Sequence, residues 1–193
     1  MSAPARKLLS RPERSASILE GAATAFAAGS YASTSMDDVA AASGVTKLIL
    51  YRHFDSKADL YRAVLDGVAA RVAEEFVKGI TAPNPRGTAA RALLVAAREN
   101  PDAFRLLWRH APREPEFAAH ADEVRDAAVK AAEGLLGETV KDRKVLRWAA
   151  RTLVGYLVEA TLNWLDAGLT GRDEEFVSRT TEGLEAIHSR WQG

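Results

Sequence analysis

The 193-residue sequence contains no cysteine. Disulfide bonds, thiolate metal ligands and cysteine nucleophiles are therefore excluded, and a chain of this length can bury a sufficient core without them. Residues 3–14 are polar and basic and lack the apolar stretch of a secretory signal peptide. The most apolar run, residues 145–165, is interrupted by two arginines, a glutamate and an asparagine, so it crosses a bilayer only at high energetic cost. The sequence predicts a soluble, cytoplasmic protein with no membrane partner.

The sequence also lacks a net charge, since 26 Lys and Arg balance 26 Asp and Glu. Residues 1–62 carry only a small positive excess, with eight Lys and Arg against six Asp and Glu. A short basic arm formed by Arg6, Lys7, Arg11 and Arg14 suits contact with phosphates or with a minor groove, and a solvated terminus is equally compatible with it. Affinity for nucleic acid must therefore come from a few well-placed contacts.

Strand patterns and catalytic motifs are absent as well. No segment alternates apolar and polar residues between hairpin turns, so the predicted fold class is all-α. The four histidines show no metal-ligand spacing, and Glu116 and His120, four residues apart, are read as surface neighbours rather than ligands. There is no phosphate-binding Gly-Lys-Ser/Thr loop, no nucleophile elbow and no evident triad. We expect no catalytic site, no metal site and no cofactor.

What the sequence does contain is a pair of short predicted helices in residues 33–54. Ser35 and Asp38 have the spacing of a capping box and start the first helix. Gly44 ends it where a tight turn needs positive φ, and Thr46 caps a second helix that runs to about residue 54. Two short helices joined by a glycine turn indicate a helix-turn-helix. An ordinary helical hairpin in a core is the alternative.

The outer face of the second helix carries groups that contact phosphates or base edges in DNA complexes: Lys47, Ile49, Tyr51, Arg52 and His53. A solvated polar face is the simpler interpretation of the same pattern. Upstream, residues 10–13 form a second capping box with a proline, and apolar residues then recur at helical spacing until Gly29. This earlier helix would pack on the pair, with Phe26 and Phe54 in the core, and complete a three-helix domain.

Three segments of this region resemble the DNA-binding signature of tetracycline-repressor (TetR) type regulators: GVTK at residues 44–47, LYRHF at residues 50–54, and Ser56-Lys57 with Leu60. The resemblance covers residues 14–65, and the remainder is similar to the family only in helical content and length. Leu48 and Ile49 depart from the pattern, because relatives often carry small, hydroxyl or proline residues there. Polar base readout is not expected from these two positions, whereas a thymine-methyl contact from Ile49 is compatible with the pattern.

The resemblance implies a palindromic double-stranded DNA operator as partner, bound by a homodimer. It implies the following DNA-binding residues: Ser35, Thr46, Lys47, Ile49, Tyr51, Arg52, His53 and Lys57. Among them, Ser35, Tyr51 and Lys57 would contact phosphates, while Lys47, Ile49, Arg52 and His53 would lie nearer the base edges.

We expect two domains, a helix-turn-helix DNA-binding domain at residues 1–56 and a helical effector-binding and dimerisation domain at residues 57–193. A helix of about 24 residues, roughly 36 Å long, would begin near residue 56 and link them. The last two predicted helices carry a surplus of apolar residues, including Val154, Val158, Leu184 and Ile187. Because a monomer would expose part of this stripe, the sequence predicts that it forms the dimer interface. Completion of the chain's own core is the alternative.

The resemblance further implies a small-molecule cavity among the C-terminal helices. Large aromatic side chains with a few polar groups suit such a cavity and an apolar or aromatic compound, and the candidates are Phe104, Leu107, Trp108, Trp148, Thr152, Tyr156 and Glu159. The predicted function is a transcription regulator, a repressor that its effector releases from the operator. The alternatives are an effector-independent DNA-binding protein with a filled C-terminal core, and a carrier or enzyme that keeps the motif as structure.

Overall fold

The computed structural model describes residues 10–191, and within that range the regular structure is helical without any strand, as the sequence predicts. The helices are α1 (Arg11–Ala28), α2 (Met36–Ser43), α3 (Lys47–His53), α4 (Lys57–Ile80), α5 (Thr88–Glu99), α6 (Pro101–Arg105), α7 (Ala118–Leu136), α8 (Arg143–Asp166) and α9 (Asp173–Ser189). A π-helical turn, Leu106–His110, and a 3-10 turn, Ala111–Arg113, continue α6. None of the helices between residues 10 and 191 is long and apolar enough to cross a membrane.

The chain divides into two compact units, of which the first ends at Val64 and the second begins at Leu65. This division lies inside α4, later than the boundary expected after residue 56. The 24-residue length of α4 equals the predicted length of the linking helix. Arg6 and Lys7 of the predicted basic arm lie outside the described residues.

The first unit begins with the predicted capping box. The backbone N–H of Ser10 donates to Glu13 Oε2 at 2.8 Å, and the N–H of Glu13 donates to Ser10 Oγ at 3.4 Å. Ile18, Phe26, Leu50 and Tyr61 are fully buried in the core between α1, α3 and α4, and the Phe26 and Tyr61 rings meet edge to face at 4.9 Å. Phe54, expected in this core, is only half-buried.

Helices α1 and α2 cross closely at Gly21. A Cβ atom at this position would lie 2.6 Å from the Cα and 2.7 Å from the backbone nitrogen of Ser43. The hydroxyl of Ser43 donates to the carbonyl oxygen of Ile18 at 3.3 Å across the same crossing. Because even a methyl group would overlap the α2 backbone, glycine is what allows α2 to approach α1 here.

The second unit is held together partly by arginine–carboxylate pairs between helices. Arg98 donates to Asp173 at 2.8 Å and to the carbonyl of Leu169 at 2.5 Å, which ties α5 to the start of α9. Arg109 and Arg105 both donate to Asp166 at the end of α8, at 2.5 and 3.1 Å. These two guanidinium groups, Arg109 first, lower the pKa of the Asp166 carboxyl from its ordinary value of 3.8.

The apolar stripe expected at a dimer interface is partly covered within the subunit. Val158 is 6% exposed, and Val154, Leu184 and Ile187 pack against a buried cluster formed by α7 and α8. Helices α8 and α9 thus use this face to complete their own core, which is the alternative that the sequence leaves open. The stripe therefore offers a partner only the parts of Val154, Leu184 and Ile187 that stay uncovered, and a dimer interface on it stays a prediction.

Candidate nucleic-acid interface and effector region

Helix α2 is fixed by a reciprocal cap and ends in a left-handed glycine. The backbone N–H of Ser35 donates to Asp38 Oδ2 at 2.8 Å, and the N–H of Asp38 donates to Ser35 Oγ at 3.2 Å. Ser35 Oγ also donates to Asp38 Oδ2 at 2.7 Å, and this bond, followed by the bond from the Ser35 N–H, lowers the pKa of the Asp38 carboxyl. Gly44 follows α2 with φ 63° and ψ 27°. The geometry is that of the predicted helix-turn-helix.

Helix α3 starts at Thr46, whose hydroxyl accepts from the Ile49 N–H at 3.4 Å, and it packs inward through the fully buried Leu50. Each residue of an α-helix turns the side chain by about 100°, so Leu48 lies almost opposite Leu50. Leu48 is 63% exposed and Tyr51 is 47% exposed. Lys47 and Arg52 are exposed as well, whereas Ile49 and His53 are half-buried.

The large apolar side chain that α3 exposes most is Leu48, whereas Ile49 is half-buried. The base-edge position expected for Ile49 from sequence stays a prediction. If the helical wheel of α3 is oriented with Leu50 towards the core, the sequence alone places Leu48 on the outward face. The outward face of α3, hereafter the α3 face, consists of Lys47, Leu48, Tyr51 and Arg52.

Lys47 is paired with an acidic residue on the neighbouring helix. Its Nζ lies 2.8 Å from Asp37 Oδ2 near the start of α2, and both side chains remain largely exposed. The hydrogen bond with Asp37 raises the pKa of the Lys47 ammonium above its ordinary value. The pair ties the first turn of α3 to the first turn of α2, and it places a carboxylate beside the α3 face.

Lys57 points into the fold. Its Nζ donates to the carbonyl oxygens of Tyr31 at 2.8 Å and Thr34 at 3.0 Å, and it lies 4.4 Å from the centre of the Tyr31 ring. The side chain therefore stabilises the connection between α1 and α2, while the phosphate contact expected from sequence stays a prediction. The contacts of the ammonium were not accessible from sequence because the partners are backbone carbonyls, which every residue carries.

The residues expected to line an effector cavity do not come together. Phe104, Leu107 and Trp108 are buried, at 0%, 1% and 7% exposure. Trp148, Thr152 and Glu159 on α8 are exposed, and Tyr156 is half-buried with its hydroxyl 3.4 Å from the carbonyl of Thr180. Side chains that face solvent do not line an enclosed cavity in their own subunit, so the α8 residues form a separate outer surface.

Trp108 is the candidate with an unexplained polar group. Its indole N–H is buried and has no hydrogen-bond acceptor among the described residues. Trp108 lies in the π-helical turn, a distortion that is common at functional sites. The guanidinium of Arg125 lies 5.9 Å from its ring, and the Phe104 ring lies at 6.3 Å. A buried donor without an acceptor is costly unless a bound molecule supplies one.

Two surface clefts in the second unit lie elsewhere and are open to solvent. One, of about 490 Å³, is lined by Arg143, Lys144, Arg147, Trp148 and Arg151. The other, of about 440 Å³, is lined by residues 171–175.

His120 Nε2 lies 2.8 Å from Asp66 Oδ1 on α4, and residues 10–191 contain no group of three possible metal ligands.

Comparison with known proteins identifies the family. Residues 18–64 match the family model for bacterial regulatory proteins of the tetR family. The chain is 30% identical over 168 residues to the HTH-type transcriptional activator FasR of Mycolicibacterium smegmatis, covering 82% of this chain and 75% of that protein. The chain belongs to the TetR family of DNA-binding transcriptional regulators.

Solved structures share the fold over nearly the whole chain. A TetR-like transcriptional regulator from Rhodococcus sp. RHA1 superposes with a TM-score of 0.76 at 21% identity, covering 95% of this chain and 97% of that one. AibR in complex with isovaleryl coenzyme A and operator DNA gives a TM-score of 0.68 at 21% identity, covering 88% and 96%. The likeness extends the shared fold into the C-terminal unit, beyond the region that the family model matches.

Proposed function

We propose that the chain binds a palindromic DNA operator as a homodimer and that a small molecule bound in its C-terminal unit releases the DNA, so that the protein acts as a repressor. The observation that carries the DNA-binding part is the α3 face, which a left-handed turn at Gly44 connects to α2. The first unit would bind DNA, and the second would bind the effector and the partner subunit. Membership of a family of regulators supports the proposal.

Each group on the α3 face suits a different part of a DNA duplex. Arg52 presents a guanidinium fork, which pairs best with the O6 and N7 acceptors of guanine. Tyr51 presents a hydroxyl suited to a phosphate, and Lys47 reaches base edges or phosphates if it leaves Asp37. Ser35, Thr46 and His53 lie at helix ends beside this surface, where they contact the sugar-phosphate backbone of the DNA.

The experiment that tests DNA binding is selection of bound duplexes from a random-sequence pool. We expect an enriched palindrome for the parent protein and, for Arg52→Ala, a loss of preference at one or two base pairs in each half-site. Arg113→Ala, which removes an exposed arginine from the 3-10 turn, is the matched control and should select the parental palindrome. A pool without enrichment after selection with the folded parent would contradict the proposal.

The proposed dimer uses the outer surface of α8, which carries Trp148, Thr152, Gly155 and Glu159. Trp148 is 54% exposed although its ring lies 4.7 Å from that of Trp191. A tryptophan left exposed on a long helix is a typical anchor of a protein–protein contact. A second copy of the chain is the partner that a palindromic operator requires.

Two helical glycines provide a clean test of this interface. Gly155 on α8 and Gly134 on α7 are both exposed, and a side chain added at either meets nothing within 4 Å. Gly155→Lys should leave the subunit folded and place a charge in the interface, so light scattering should give a mass near 21 kDa instead of twice that value. Gly134→Lys should remain dimeric. A dimeric Gly155→Lys variant would exclude this surface.

The proposed effector occupies the region of Trp108 and accepts a hydrogen bond from its indole N–H. Buried aromatic neighbours favour an apolar body, and the orphan donor favours a carbonyl or similar acceptor. Since AibR is described with isovaleryl coenzyme A, acyl-coenzyme A thioesters are the first class to test. We expect isovaleryl coenzyme A or a longer acyl thioester to raise the melting temperature and to release DNA.

Trp108→Phe keeps an aromatic ring and removes the donor, so it should weaken effector binding about 5- to 150-fold, as expected for an acceptor that loses its donor. Trp164→Phe is the matched control, because its N–H is equally buried and unpaired among the described residues. If no acyl thioester binds and the protein purified from cells carries no small molecule, the effector-independent alternative is favoured.

Activation is a second candidate for the direction of regulation. The relative FasR is named an activator, so activation competes with repression for this chain. A reporter gene placed behind the selected operator separates them, because deletion of the regulator should raise expression if it represses and lower expression if it activates.

A further inference from the structure

We infer that Leu48 is a specificity-determining residue that reads the C5-methyl group of thymine in the major groove. The inference rests on the proposed DNA binding and deepens it at one side chain. It differs from the expectation drawn from sequence, which placed a methyl contact at Ile49.

The motivating observation is the position of exposed apolar surface in the first unit. Within the described part of that unit, the large apolar side chains that remain exposed are Leu48, at 63%, and Tyr51, at 47%. Both lie on the α3 face, three residues apart and therefore close to one helical turn, so their side chains are neighbours. The buried residue of α3 is Leu50, and Ile49 and His53 are half-buried, so the packing of α3 leaves Leu48 largely uncovered.

The chemistry of leucine narrows what it can recognise. Its side chain has no donor or acceptor, so it cannot pair with the polar edges of guanine, adenine or cytosine. In the major groove the one apolar group presented by an unmodified base is the thymine C5-methyl. Contact between the two removes both from water, which is favourable wherever α3 enters the groove.

The pairing of Lys47 with Asp37 adds to this argument. At 2.8 Å from Asp37 Oδ2, the Lys47 ammonium is paired with a carboxylate of α2. The carboxylate also disfavours phosphates beside that end of α3. Around the helix Leu48 lies between Tyr51 and Arg52, as an apolar side chain on a polar surface, where a methyl group fits and a charged backbone group does not.

The test replaces thymine by uracil, which removes only the methyl group. Duplexes are first selected from a random pool by the parent protein, and each thymine of the enriched site is then replaced symmetrically by deoxyuridine. We expect one position at which the parent loses about fourfold in affinity per half-site, close to the effect of one buried methyl group of ~0.8 kcal/mol. For a dimer on two half-sites the combined decrease is about 15-fold.

The double-mutant comparison assigns the effect to Leu48. Leu48→Ala should bind the thymine and uracil duplexes equally at that position, whereas Ile49→Val should still distinguish them. Leu135→Ala is the matched control, because Leu135 is 61% exposed on α7 and its truncation should leave the discrimination intact. All three changes lie on exposed or half-buried side chains, so folded protein is expected.

The possible outcomes distinguish the role of Leu48 from DNA binding itself. If no duplex is enriched, DNA binding itself fails. If a palindrome is enriched but Leu48→Ala discriminates uracil from thymine as the parent does at every position, the role of Leu48 is overturned and DNA binding stands. If Ile49→Val abolishes the discrimination and Leu48→Ala does not, the methyl contact belongs to Ile49.

Discussion

Replacing Lys57 by methionine should destabilise the first unit without changing the salt dependence of DNA binding. Methionine retains an apolar chain of similar length but removes the ammonium. The carbonyl oxygens of Tyr31 and Thr34 would then lose a charged donor at 2.8 and 3.0 Å. The Tyr31 ring would lose the cation 4.4 Å from its centre.

The magnitude follows from these three contacts. Hydrogen bonds from a charged donor contribute about 1.5–3 kcal/mol each when well buried, and a partly exposed cation–π contact contributes about 0.5–1 kcal/mol. Lys57 is half-buried and the contacts share one group, so they do not add fully. We expect a loss of about 2–3 kcal/mol in the free energy of unfolding of the first unit, with the lower ends of these ranges applying.

Hydrogen exchange is the appropriate assay because all four tryptophans lie after residue 107, so tryptophan fluorescence does not report on the first unit. Amides of α1 and α2 should exchange about 30- to 150-fold faster in Lys57→Met, the factor that corresponds to this decrease in stability. Lys78→Met is the control. Lys78 pairs with Glu74 and Glu75 on the surface of α4, and its removal should change exchange little.

The salt dependence of DNA binding would change if Lys57 contacted a phosphate. If Lys57 bound a phosphate in each subunit, its removal would lower the slope of log affinity against log salt by about 0.9 for each phosphate released. A lowered slope for Lys57→Met, together with α1 and α2 amides that exchange as in the parent, would mean that the ammonium binds DNA. The assignment of Lys57 to the fold would then be wrong.

Three further predictions follow from individual contacts. Asp37→Asn should free Lys47, so binding to unrelated DNA should strengthen and its salt slope should steepen in a titration at several ionic strengths. Gly21→Ala should destabilise the first unit by about 1–3 kcal/mol in hydrogen exchange because its methyl group overlaps the α2 backbone, whereas Gly67→Ala, in open space on α4, should be neutral or stabilising. The pKa of Asp166 is lowered in the folded state, so its contribution to stability is present above its ordinary pKa of 3.8 and is lost as the pH falls through the lowered value; urea unfolding from about pH 6 to about pH 2 should show a smaller acid-induced decrease in stability for Asp166→Asn.

The first unit was predictable from sequence to within a residue or two because its signals are local. Capping boxes at Ser10 and Ser35 and a glycine at position 44 specify helix ends through contacts three residues apart. The Gly21 crossing was not predictable, since it depends on Ser43, which is distant in sequence. The contacts of Lys57 with the carbonyls of Tyr31 and Thr34 were not predictable for the same reason.

For the C-terminal helices, the sequence predicts less about which surfaces are buried and by what. Helical spacing identifies which faces of α8 and α9 are apolar, but it does not say whether an apolar face meets its own chain or a partner. In the fold, the stripe through Val154 and Leu184 is used by the chain's own core. The surface that remains is the one with Trp148 and Gly155. Its large exposed apolar side chain is Trp148, and helical spacing alone does not mark a single tryptophan as an interface.

Three side chains with features that the stability of a single chain does not explain lie at the three proposed binding sites. Leu48 and Trp148 expose large apolar surfaces, at 63% and 54%, and Trp108 buries an N–H group without an acceptor among the described residues. Each feature is unfavourable in the isolated subunit, and sequences that fold reliably retain such features mainly at functional sites. Each is also relieved by a different binding event: DNA would cover Leu48, a second copy would cover Trp148, and an effector would accept the hydrogen bond of Trp108. Because the three sites lie on different elements, the variants Leu48→Ala, Gly155→Lys and Trp108→Phe should each impair one binding event directly. Operator affinity should fall in the first two, while the third should bind DNA normally and lose only its response to the effector.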